Sequence, residues 1–102
     1  MADVITEKAV DTDIVIKNPG KYKVVILNDD ATPMDFVVAL LMGIFKHNED
    51  SAAAVMLQIH NAGKGIAGVY THEVAEQKGI EGTLLARQHG HPLQIQVEQE
   101  WV

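Results

Sequence analysis

Apolar and polar positions group along the chain into six predicted elements, in the order β-α-α-β-α-β. The run from Tyr22 to Asn28 is rich in strand formers and predicts a mostly buried strand. Residues 65–70 predict a second strand, and the strict alternation from Leu93 to Val97 predicts a third with one face in water. This order favours an α+β fold: a two-layer single domain with three helices packed against a small, mostly antiparallel three-stranded sheet.

The first helix has a clear start signal. Thr32 is predicted to be its N-cap, with Pro33 at the first helical position, and the helix should run to about Lys46. Apolar residues surround most of its circumference, which predicts a helix in the centre of the domain.

The second helix should be capped by Asn48 or Asp50 and ended by Gly63, and Thr71 should cap the third helix. The third helix carries small residues at intervals of four, three and four, a spacing that would let it approach another element closely. These small residues are Ala75, Gly79, Gly82 and Ala86. Ile80 and Leu84 lie on the opposite side, so the periodicity does not decide which face is buried.

Length and composition limit the class of protein. The 102 residues fit one domain, and a hydrophobic content of 47% allows a core. The net charge of -6 argues against nucleic acid and anionic membranes as partners. The chain has no cysteine, no signal-peptide pattern and no apolar run of about 20 residues, so we expect a cytoplasmic protein.

A turn signal at residues 18–20 divides the chain. We expect residues 1–20 to form a flexible N-terminal extension and residues 21–102 to form the core domain.

The side chains that could bind a ligand are concentrated after the first predicted strand. Asn28, Asp29 and Asp30 offer oxygen acceptors in a row, and His60 on the second helix offers a ring nitrogen. Apolar residues would stand beside them if the first two helices pack together, namely Met34, Val37, Met56 and Ile59. Such a site would bind a cation attached to an apolar group. The structural alternative is that the acids are turn formers and His60 is a packed histidine.

Catalysis and metal binding have weaker support. There is no Gly-x-Ser-x-Gly sequence and no cysteine nucleophile, so we do not expect an enzyme. Asp29, Asp30 and His60 could coordinate a divalent ion, and His89 with His91 resembles a weak surface chelate. No His-Glu-x-x-His pattern supports a metal site, and we expect no cofactor.

The motif Asn-Asp-Asp-Ala-Thr-Pro-Met-Asp-Phe-Val at residues 28–37, the distant His60 and the sequence His-Pro-Leu at 91–93 resemble the ClpS adaptor family. The resemblance covers about 80 of the 102 residues. It implies a non-catalytic recogniser of N-degrons, which binds proteins that begin with Leu, Phe, Tyr or Trp and delivers them to the ClpA unfoldase of the ClpAP protease. We expect the protein to be a monomer. The alternative that stays open is a non-catalytic interaction domain of the same fold that modulates an unfoldase without binding N-degrons.

The resemblance also implies roles for individual residues. The free α-amine would be held by Asn28, Asp29 and His60. The hydrophobic pocket would be lined by Met34, Val37, Met56, Ile59 and Leu93. The pocket rim would be formed by Asp30, Thr32 and Pro33. Glu73 and Lys78 would dock on the N-terminal domain of ClpA, and residues 1–20 would serve in handover. Ile59 stands where the family pattern has valine, which would make the pocket shallower and favour Leu over Trp.

Overall fold

A computed structural model describes residues 21–100. The predicted extension over residues 1–20 lies outside the described residues. The strands are β1 (Tyr22–Leu27), β2 (Lys64–Tyr70) and β3 (Ile95–Gln99). The helices are α1 (Met34–Gly43), α2 (Glu49–Ala62) and α3 (His72–Gln88). Their order along the chain is β1-α1-α2-β2-α3-β3, so the predicted order and the α+β fold class are confirmed.

The three strands form one sheet in which β1 lies between β2 and β3, and both pairings are antiparallel. Leu27 pairs with Lys64 at one end of β1, and Tyr22 pairs with Tyr70 at the other. Six residues of strand span roughly 17 Å. The loops that follow Leu27 and Tyr70 therefore leave from opposite ends of the sheet.

The core lies between one face of the sheet and the helices. Val24 and Ile26 of β1 are fully buried there, beside Leu40 and Leu41 of α1. The expectation that α1 is central is wrong, because only one side of it is buried and Met42 is 39% exposed. α1 packs mainly on α2, which leaves its other side in solvent.

The start and end of α1 differ from the prediction. Pro33 occupies the N-cap position with φ -64° and ψ 142°, and no side chain caps the helix. The prediction that Thr32 is the cap is wrong, because its hydroxyl donates a hydrogen bond to the Asp29 carboxylate instead. The helix ends at Gly43 rather than near Lys46, which has a φ of +62° that a helix cannot include.

The other predicted caps are confirmed. The Asn48 side chain accepts a hydrogen bond from the Ser51 amide at 2.8 Å, and Thr71 accepts one from the Val74 amide at 3.4 Å. Gly63 ends α2 in the left-handed conformation with φ +88°.

The small-residue stripe of α3 faces the core, while Ile80 and Leu84 are more than half exposed. A Cβ atom on Gly82 would come within 2.7 Å of the Ile95 Cδ1 atom on β3. The absence of a side chain at Gly82 therefore lets α3 lie close to β3.

Candidate functional site

The site forms where β1 ends, because two backbone hydrogen bonds hold this point of the chain. The Leu27 amide donates to the Gln94 carbonyl at 3.0 Å, and the Asn28 amide donates to the Gly63 carbonyl at 2.8 Å. The end of β1 is therefore fixed between the end of α2 and the segment that precedes β3. The end of α2 carries His60, three residues before Gly63.

A cavity of about 190 Å³ opens at this point, and we call it the side-chain cavity. Its polar lining comes from Asn28, Asp29, Asp30, Thr32 and His60. Its apolar lining comes from Leu27, Met34, Val37, Met56, Ile59 and Leu93. The structure thus brings together all three residues expected to hold the amine and all five expected to line the pocket.

The lining differs from the expected one at two positions, Pro33 and Leu27. Pro33, expected at the rim, does not line the cavity; it is exposed and occupies the N-cap position of α1. Leu27 lines the cavity and was not predicted to do so. The signal available in the sequence was its place as the last apolar residue of the strand, directly before Asn28.

Part of the polar side of the cavity is held in place by hydrogen bonds within the protein. The Asp29 carboxylate accepts hydrogen bonds from the Thr32 hydroxyl and from the Ala31 amide. Asp29 therefore also has a structural role as a turn residue, as the structural alternative expects. A carboxylate offers about four lone-pair positions, so this carboxylate can accept further donors. Within residues 21–100, neither the Asn28 side chain nor the His60 ring makes a hydrogen bond.

The apolar side is formed mostly by buried core residues. Val37, Met56, Ile59 and Leu93 are all buried, and each belongs to the hydrophobic core. Met34 is different, because half of its surface is exposed. Met34 therefore stands at the mouth of the side-chain cavity, while the other residues form its floor and walls.

The metal alternative finds no support in the part of the chain that the structure describes. No three histidine or acidic side chains of residues 21–100 lie close enough together to hold a metal ion. The His89 and His91 rings instead pack against the Phe36 ring, with centroid distances of 5.4 and 4.7 Å. Among the helices between residues 21 and 100, none has the length and apolar character needed to cross a bilayer.

The two residues expected to dock on an unfoldase lie on α3. Glu73 is exposed in its first turn, directly after the end of the sheet that carries Tyr70. Lys78 is half-buried, and its Nζ atom donates a 2.8 Å hydrogen bond to the Ile44 carbonyl. The same Nζ atom lies 5.4 Å from the centroid of the Tyr70 ring, and burial raises the pKa of the Tyr70 phenol. Glu73 and the side-chain cavity are therefore at opposite ends of the sheet.

The chain is similar to known adaptor proteins of the Clp protease. The family model described as ATP-dependent Clp protease adaptor protein ClpS matches residues 17–96. A Helicobacter hepaticus ATP-dependent Clp protease adapter protein ClpS is 43% identical over 99 residues, which cover 97% of this chain and 98% of the relative. A ClpS adapter from Hydrogenovibrio crunogenus is 53% identical over 83 residues, or 81% of this chain and 80% of the relative.

A solved structure with a similar fold is that of Agrobacterium tumefaciens ClpS2 bound to L-phenylalaninamide. The TM-score is 0.78 and the sequence identity is 38%, with 81% of this chain and all of that chain covered.

Proposed function

This chain belongs to the ClpS family of adaptors of the ATP-dependent Clp protease, and on that premise we propose that it recognises N-degrons. It binds proteins whose first residue is Leu, Phe, Tyr or Trp and delivers them to a ClpA-type unfoldase, without catalysing a reaction itself. One observation carries this proposal: acceptors suited to a cation and the wall of an apolar pocket line the same cavity.

The polar side suits a free α-amine. An α-amine has a pKa of about 7.7 to 8.0 and is therefore mostly cationic at pH 7. Its three N–H donors need acceptors when it leaves water. The Asn28 side-chain oxygen, the Asp29 carboxylate and a neutral His60 nitrogen supply one acceptor each.

The apolar side suits a bulky first side chain. A cavity of about 150 Å³ can hold a benzene molecule, so a cavity of about 190 Å³ is large enough for a Leu or Phe side chain. Phenylalaninamide, the ligand of the Agrobacterium tumefaciens relative, joins a free α-amine to a benzyl side chain. The first residue of a protein that begins with Phe presents the same two groups.

The two parts of the site contribute similar free energies. Burial of a Leu or Phe side chain contributes roughly 1.5 to 3 kcal/mol. A hydrogen bond to a charged group contributes about as much. Loss of either part should therefore weaken binding by at least about tenfold, because about 1.4 kcal/mol corresponds to one order of magnitude.

Delivery requires a second surface that a bound N-degron leaves accessible. Glu73 is exposed, and it lies at the end of the sheet away from the cavity. We assign unfoldase docking to Glu73 and Lys78, and handover to residues 1–20. Cargo and unfoldase would then bind at opposite ends of the domain without competing for one surface.

A second candidate is an interaction domain of this fold that modulates an unfoldase without binding N-degrons. The hydrogen bond between Thr32 and Asp29 favours it, because this bond gives Asp29 a structural role that needs no ligand. The two candidates differ in one measurable property, the affinity for a peptide with a free N-terminal Leu. Titration of labelled peptides that differ only in their first residue separates them.

A further inference from the structure

Arg87 is the only arginine of the chain, and it lies in the last turn of α3. Its Nη1 atom donates two hydrogen bonds, to the His91 carbonyl at 2.9 Å and to the Leu93 carbonyl at 2.8 Å. One guanidinium nitrogen thus binds two carbonyl groups that are two residues apart.

The two carbonyl groups belong to residues 91–94, which link α3 to β3 and which we call the linking segment. The segment belongs to no helix or strand, so no regular hydrogen-bond ladder fixes its backbone. Its first amide, that of His91, donates to the Ala86 carbonyl at 2.8 Å, and the preceding Gly90 has a φ of +75°. The path of the segment therefore depends on a small number of individual contacts.

The linking segment forms part of the side-chain cavity. Leu93 is 1% exposed and lines the cavity, and the Gln94 carbonyl accepts the hydrogen bond from the Leu27 amide. The His91 ring packs against Phe36 on α1, two residues after Met34. A shift of the segment would therefore move Leu93 relative to the residues on the other walls.

We propose that Arg87 is a positioning residue for the side-chain cavity: by holding the His91 and Leu93 carbonyls it fixes Leu93 at the depth that selects a bulky first side chain. This inference rests on the proposed function of the cavity. Arg87 does not line the cavity, so it acts through Leu93 and not on the ligand.

A purely structural role makes a different prediction. A cation in the last turn of a helix also interacts favourably with the helix dipole, and that interaction would serve the stability of α3 alone. Loss of stability in a protein that remains folded does not change its preference between two ligands. The ratio of the affinities for a Leu peptide and an Ala peptide is therefore the informative measurement, because only the Leu side chain reaches Leu93.

The test compares Arg87→Met and Arg87→Lys with the wild type, with Lys21→Met as the control. Lys21 is exposed and precedes the end of β1 away from the cavity, so its replacement removes the same charge without touching the linking segment. Arg87→Met should reduce the ratio of Leu to Ala affinity by about fivefold, roughly the effect of taking one to two methylene groups of the Leu side chain out of apolar contact with Leu93. Arg87→Lys should give an intermediate ratio, because its ammonium has enough donors but a shorter reach. Lys21→Met should retain the wild-type ratio.

A wild-type ratio in folded Arg87→Met would overturn the proposal. If Arg87→Met does not fold, Arg87→Lys decides, and a wild-type ratio in that variant would count against the proposal. Hydrogen exchange of the Leu27 amide provides a reading that needs no ligand, since its acceptor lies in the linking segment. Faster exchange in Arg87→Lys than in Lys21→Met would support the positioning role even if the wild type bound no peptide. The absence of peptide binding would contradict the proposed function but not the role of Arg87 in positioning Leu93.

Discussion

The Asn28 amide donates a 2.8 Å hydrogen bond to the Gly63 carbonyl, and this bond joins the two parts of the proposed amine site. Asn28 and Asp29 follow β1, whereas His60 lies on α2, and these elements are far apart in sequence. Gly63 ends α2 in the left-handed conformation, and its own amide donates back to the Ile59 carbonyl at 2.9 Å. The termination of α2 therefore sets the position of His60 relative to Asn28.

Gly63→Ala should lower the free energy of unfolding by about 1 to 2 kcal/mol, because residues with a Cβ atom adopt a positive φ at that cost. Chemical denaturation measures the change. Gly43→Ala is the matched control, since Gly43 has open space around its Cβ position and no positive φ. It should stabilise the protein by about 0.4 to 1 kcal/mol. Equal effects of the two substitutions would contradict the assigned conformation of Gly63.

Met34 should exclude first residues that branch at Cβ, because it stands at the mouth of the side-chain cavity. Met34→Ala should therefore gain affinity for peptides that begin with Ile or Val, while the wild type binds them poorly. Peptide titrations with Leu, Ile and Val at the first position measure the preference. The control is Met42→Ala, which removes a comparably exposed methionine from the other end of α1. A gate at Met34 is ruled out if Met34→Ala and Met42→Ala show the same preference.

Lys78 should contribute to stability as well as to docking. Its ammonium donates to the Ile44 carbonyl and lies over the Tyr70 ring, so Lys78→Met should lower the free energy of unfolding by about 1 to 3 kcal/mol. Glu73→Gln, at an exposed position, should change it by less than about 0.5 kcal/mol. Urea denaturation of both variants tests this difference. A Lys78→Met variant as stable as the wild type would show that these contacts do not contribute to the free energy of unfolding.

Glu73 is the cleaner probe of unfoldase docking for that reason. Glu73→Lys should weaken the complex with the N-terminal domain of a ClpA-type unfoldase and leave the affinity for a Leu peptide unchanged, because the two surfaces lie at opposite ends of the sheet. Calorimetry of each interaction measures both affinities. If the variant binds the unfoldase domain as the wild type does, docking on Glu73 is wrong.

The sequence predicts most of the fold because its local signals agree with one another. Strand formers and the caps at Asn48, Gly63 and Thr71 each depend on a few neighbouring residues. The buried face of α3 could not be predicted in this way. Large Ile80 and Leu84 are outside and the glycines are inside, because Ile95 of β3 occupies the space beside Gly82. That neighbour is distant in sequence and known only from the structure.

The site was predictable to a similar extent. The resemblance to the family pattern implies most of the lining but not Leu27, and of the rim residues that it implies, Asp30 and Thr32 line the cavity while Pro33 does not. The pairing of Thr32 with Asp29 was missed, because a threonine before proline is also a common helix cap. The contacts of Arg87 were missed as well, since the path of residues 91–94 past its side chain cannot be derived from spacing.

In the proposed function, one cavity recognises the free α-amine and the first side chain of the N-degron together. Fluorescence anisotropy with peptides that begin with Leu, Ala or acetylated Leu tests it on the wild type and on Asn28→Ala and His60→Ala. Asn61→Ala is the control, because Asn61 is an exposed neighbour of His60 that does not line the cavity.

Free Leu should bind the wild type and Asn61→Ala with a Kd of about 1 μM or tighter, at least about tenfold better than Ala. Acetylated Leu should hardly bind, because acetylation removes the charge and two of the three N–H donors of the amine. Asn28→Ala and His60→Ala should each lose at least about tenfold in affinity for free Leu. Equal affinity of the wild type for free and acetylated Leu would contradict recognition of the free α-amine by this cavity.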